Sequence, residues 1–147
     1  MKKSRIVSVA ASLLIAAVSV GIAHGQKDAS KSVVYISADK ATFTKMPGNE
    51  NVSMAPLWGE PDKGAHGTLT KFGPGYDAGM HTHTNDVSIV VIKGAYLYKD
   101  EAREKRVGPG DYLHVPGGHK HWSGSDKTEG ALFYEEGSGK FDKLAAK

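Results

Sequence analysis

Glycine and proline punctuate this chain at intervals that suit strands rather than helices. The clusters Pro47-Gly48-Asn49, Gly59-Glu60-Pro61-Asp62, Gly73-Pro74-Gly75, Gly108-Pro109-Gly110 and Pro116-Gly117-Gly118 carry turn chemistry, because glycine reaches positive φ freely and proline presets a turn-compatible φ. Between them lie short runs rich in β-branched and aromatic residues, at 33–37, 41–45, 52–58, 67–72, 87–92, 95–99, 111–115, 119–123 and 131–135. Behind the N-terminal leader no window of a dozen residues has a strong helical period, and a helix fits only the tail, 141–147. The charged stretch 99–106 reads as a hairpin tip with a solvated face. Short strands at this spacing predict an all-β sandwich or barrel. At 147 residues without internal repeats, the chain has the size of one domain.

The leader is a separate matter. Lys2, Lys3 and Arg5 precede an uncharged apolar run from Ile6 to Ala23, and Ala23-His24-Gly25 has the small residues of a signal-peptidase site. The expected division is therefore a cleaved signal peptide over 1–25, an N-terminal extension with the first strands over 26–45, the barrel over 46–142 and a tail over 143–147. The mature protein is expected in the periplasm or outside the cell, exported unfolded by a bacterial general-secretion signal, with no membrane anchor left after cleavage. The formal charge of +3 includes three leader cations; removing them brings it to zero, so the basic pI gives no support to nucleic-acid binding. The chain has no cysteine, which excludes disulfides, thiolate ligands and cysteine nucleophiles.

The placement of the histidines carries the chemistry. His81 and His83 are two residues apart, and on a strand they would project from one face with Cα atoms about 6.6 Å apart, close enough to share an ion. They sit in the frame Gly75-x5-His81-x-His83 running on to Gly94, followed by Gly110-x5-Pro116-x-Gly118-x2-His121. Those residues resemble the two motifs of the cupin superfamily. Stretches 56–60, 67–72, 90–94 and 139–142 are similar to exported single-domain cupins catalogued as a domain of unknown function, and the likeness extends from about Ser53 to Asp142.

The resemblance implies a double-stranded β-helix, a jelly-roll barrel, with one divalent transition metal held by His81, His83 and His121. Two family anchors are missing. Val87 stands where a fourth ligand, glutamate, is expected, and Ser125 stands in place of an asparagine. Asp86 is one residue off the glutamate position, and a one-residue offset on a strand points to the opposite face; we read it as a surface or turn residue. A site of three imidazoles keeps at least one open position. His119, two residues before His121, is expected either behind that ligand as a supporting partner or at the rim as the candidate acid or base, while His66 and His114 read as hydrogen-bonded or surface residues.

Zincin, serine-hydrolase and phosphate-loop motifs are absent, since Gly59 to Gly64 continues as Ala65-His66. Two functions remain. One is a three-histidine dioxygenase acting on a small organic substrate, with iron the expected metal and zinc, copper, nickel and manganese the alternatives. The other is a metal-dependent module that binds or senses a small ligand without turnover. The expected partner is a small molecule and no nucleic acid; a homodimer is compatible with the resemblance, since such barrels pair through sheet edges.

Overall fold

The computed structural model describes residues 33–37 and 40–146. The expected signal peptide, 1–25, and the first part of the extension lie outside the described residues. Eleven strands follow in chain order: β1 (Thr44–Met46), β2 (Asn49–Gly59), β3 (His66–Phe72), β4 (Asp77–Thr82), β5 (Val87–Gly94), β6 (Tyr96–Lys99), β7 (Glu104–Val107), β8 (Tyr112–Val115), β9 (His121–Ser125), β10 (Ala131–Gly137) and β11 (Leu144–Ala145). They form two antiparallel sheets, one in the order β1-β2-β3-β10-β5-β8 and the other β11-β4-β9-β6-β7. The fold is the all-β jelly roll of the cupins, and it contains no helix among the described residues.

Alternation decides which side chains enter the barrel. On β5, Val87, Ile89 and Val91 are buried while their neighbours are more exposed, and on β10 the buried phase runs Ala131, Phe133, Glu135, Gly137. These strands pair directly, with a bulge between Leu132 and Phe133. The apolar core joins the two sheets through Ile89, Val91, Tyr96, Val107, Val115 and Phe133. Phe72 packs edge-on against Phe133 at 4.9 Å between ring centroids and stacks on Tyr96 at 5.7 Å, an aromatic cluster that anchors β3, β6 and β10 to one another.

The turn glycines do the work the sequence assigns them. Gly94 has φ +71°, and a Cβ there would stand 2.2 Å from the Gly130 carbonyl oxygen; only glycine lets β5 turn into β6 so close to the β9–β10 turn.

Two expectations need correction. The run at 33–37 is irregular rather than a strand, and Val33 and Tyr35 are exposed. The tail forms no helix: Leu144 and Ala145 pair with Thr82 and His81 as β11, because seven residues are too few to sustain an isolated helix while the edge of β4 offers backbone partners at once. The charged stretch is the hairpin expected of it: Glu104–Val107 pairs in full register with Tyr96–Lys99, and residues 101–106 are exposed.

Candidate metal centre

β4 and β9 are neighbours, and their register sets His81 directly opposite His121. His83 follows one residue beyond the end of β4, and its ring returns to the same point. Ring centroids are 4.3 Å apart for His81 and His121, 5.0 Å for His81 and His83, and 5.5 Å for His83 and His121. One nitrogen from each ring lies within 4.8 Å of the other two.

Backbone carbonyls orient all three rings. Nδ1 of His81 donates to the Gly79 carbonyl at 2.8 Å, Nδ1 of His121 donates to that of His119 at 2.9 Å, and Nδ1 of His83 donates to that of Asp142. A carbonyl only accepts, so each Nδ1 carries the proton and each Nε2 keeps its lone pair. Gly79, at φ +69°, interrupts the β4–β9 ladder and brings its carbonyl back toward His81. Tyr98 stacks on His121 at 5.6 Å and 21°.

Burial suppresses the charged form of these rings. The His81 pKa falls to about 4 and those of His83 and His121 fall as well, desolvation being the leading cause in each case. All three are therefore neutral at pH 7, the state a metal ligand requires. Nε2 of His121 is buried without a hydrogen-bond partner, a vacancy that costs about 1–3 kcal/mol in an uncoordinated acceptor. Neutral rings, fixed tautomers and an orphaned Nε2 fit a divalent transition metal bound by three imidazoles.

The triad lines a cavity of about 140 Å³, whose other walls are largely apolar and include Val52, Met54, Phe72, Ile89 and Phe141. Val87, at the position of the missing glutamate, is part of that lining. Asp86 is not; its carboxylate turns to the surface and accepts from the Gly117 backbone N–H at 2.8 Å. Trp122 also stays outside, donating from its indole to Asp77.

His119 stands behind His121 rather than on the cavity wall. It belongs to the turn ahead of β9, its N–H bonded to the Pro116 carbonyl, so the two-residue strand period that would align it with His121 does not apply. Its ring bonds the Asp100 carboxylate through Nε2 at 3.1 Å and is not among the groups lining the cavity. Only its carbonyl reaches the triad. Asp100 is held well below the usual carboxylate range, first by the Tyr98 hydroxyl, which donates to it at 2.7 Å, so the cluster links His119 to the ring stacked on His121. His66 is buried, with Nδ1 bonded to the Gly64 carbonyl, and His114 is exposed beside Ser88.

One polar group of the cavity was not foreseen. Glu135, on β10 of the opposite sheet, is only 6% exposed, lines the cavity, and has an oxygen, Oε1, with no partner. Burial alone pushes its carboxyl up to about 7. The signal was present in the sequence: Glu135 shares its two-residue phase with Ala131 and Phe133.

Comparisons with known proteins agree with this fold. A family model described as "Domain of unknown function (DUF4437)" matches residues 33–147. No curated protein matches the chain. Among solved structures, the polyketide cyclase RemF from Streptomyces resistomycificus superposes with a TM-score of 0.64 at 18% identity, covering 79% of this chain and 87% of that one. KdgF from a Halomonas species gives 0.58 at 18% identity, covering 71% and 94%. An RmlC-like cupin from Shewanella frigidimarina gives 0.57 at 17% identity, covering 73% and 92%.

Proposed function

We propose that the chain, which belongs to the DUF4437 family, is an exported metal-dependent cupin enzyme that oxygenates a small organic substrate. The observation carrying this reading is the set of three Nδ1–H donors anchored on backbone carbonyls, which aims three neutral Nε2 atoms at one point. A bound divalent metal would supply Lewis acidity and, if redox-active, a place for dioxygen beside the substrate. The chain's own contribution is to hold the tautomers, exclude water and shape the substrate. No carboxylate belongs to the converging group, so coordination positions stay free for an oxygen-donor ligand. The cavity's volume of about 140 Å³ is near that of an apolar cavity that takes up benzene, about 150 Å³, which limits the substrate to roughly that size.

The test is purification of the mature protein from its native compartment, elemental analysis, and oxygen uptake against small diketones, thiols and catechols. Iron at one equivalent with oxygen uptake supports the proposal. Imidazole sites favour copper and zinc over iron by intrinsic affinity, so either metal bound without turnover over the panel would replace the enzyme by a ligand-binding module.

A further inference from the structure

We propose that Glu135 is a catalytic residue of this cavity, the base that removes a proton from carbon next to a substrate carbonyl and the acid that returns it. The proposal rests on the metal reading above and names the substrate class: small carbonyl compounds with an acidic C–H, such as 1,3-diketones or 2-oxo acids.

The geometry is that of two sheets facing one cavity. β10 lies at the centre of the six-stranded sheet between β3 and β5, while His81 and His121 come from the five-stranded sheet. Glu135 and the three histidines therefore line the same space from opposite walls. A carbonyl compound whose oxygen faces the histidines presents its adjacent carbon toward Glu135.

A packing role does not account for this side chain. Its register partners are Thr68 on β3 and Ile89 on β5, and neither is a cation. Thr68 instead bonds the Thr70 hydroxyl. The Glu135 Oε1 atom is left buried and unpartnered, a costly arrangement for a group that only fills space. Its elevated carboxyl pKa puts both protonation states within reach near neutral pH, as an acid–base group requires.

The step balances without an oxidant. The substrate C–H bond breaks, an O–H bond forms on the Glu135 carboxylate, and the electron pair becomes the C=C of an enolate. Return of the proton to either end of that system completes an exchange or a tautomerisation. An enolate is also more electron-rich than the carbonyl compound it comes from.

The experiment uses the full mature chain, as isolated and after chelation, with pentane-2,4-dione and 2-oxobutanoate as probes. Deuterium incorporation next to each carbonyl is followed by proton NMR in D2O without oxygen, and metal content is measured in parallel. Wild type should exchange at least one probe faster than buffer, and Glu135→Gln should lose about 100-fold or more of that rate while keeping its metal; Glu135→Asp should fall between. A second readout is independent of turnover: in metal-free protein labelled with 13C at glutamate carboxyls, the resonance missing from Glu135→Gln should shift when a probe is added. Undiminished exchange by Glu135→Gln, no exchange by wild type with either probe, or an unmoved Glu135 resonance would each overturn the proposal. Absence of metal from wild type would instead sink the metal reading, and the labelled carboxyl would still decide whether Glu135 meets the probe.

Discussion

Replacing Glu135 by glutamine should stabilise the metal-free protein, and by an amount that depends on pH in a defined way. The folded carboxyl is raised from 4.5 to about 7 by burial, so between those values the native state holds a proton that the unfolded chain releases. The contribution of this group to stability is therefore fully present below about pH 4.5, is lost as pH rises toward 7, and stays lost above. The two and a half pH decades correspond to about 3 kcal/mol. Glutamine matches the shape without the charge, so the difference between variant and wild type should be near zero at pH 4.5 and about 3 kcal/mol in favour of the variant at pH 8. In urea, with m values of about 1–3 kcal/mol/M, that is a midpoint increase of about 1 M or more. Other ionisable groups lining the cavity, His81, His83, His121, Tyr76, Tyr96 and Lys143, are common to both proteins and largely cancel. A bound cation should shrink the difference, because it favours the carboxylate. A difference that does not change between pH 4.5 and 8 in chelated protein would refute the assignment of Glu135 as a buried, unpaired acid.

Other perturbations follow from the same contacts. Truncation after Lys140 removes the Asp142 carbonyl from Nδ1 of His83, and should weaken metal binding about 10- to 100-fold by competition against a chelator; unchanged affinity would remove that strap from the site. Gly94→Ala forces an L side chain to φ +71° against the Gly130 carbonyl and should cost on the order of 1–3 kcal/mol in denaturant unfolding. His119→Ala should leave metal stoichiometry intact while lowering the thermal midpoint, since Asp100 loses the ring bonded to it; loss of metal in this variant would make His119 a ligand.

What could be read in advance was local. The turn clusters announce strands, and the likeness of 75–94 and 110–121 to the two cupin motifs is what brings His81, His83 and His121 together in the sequence. β4 was harder to see as a run because Asp77-Ala-Gly-Met lacks β-branched residues and contains Gly79, and β7 because Glu104-Lys-Arg is charged; both are held by their neighbours rather than by propensity. The anchor on His83 comes from Asp142, 59 residues away, and no spacing rule reaches that far. His119 precedes β9 in a turn, so the strand period that would put its ring on the face of His121 stops short of it. Glu135 lay in plain phase with Phe133, but a single charged residue in a core phase looks like an ordinary surface position until the opposite sheet is in place.

The central claim is that His81, His83 and His121 together hold one metal ion, and metal stoichiometry in single variants tests it most directly. Elemental analysis after metal loading and desalting should give one equivalent per chain for wild type and for Asp86→Ala, and well under one for His81→Ala, His83→Ala and His121→Ala, each with an unchanged circular dichroism spectrum. A folded His121→Ala protein that retains a full equivalent would contradict the account.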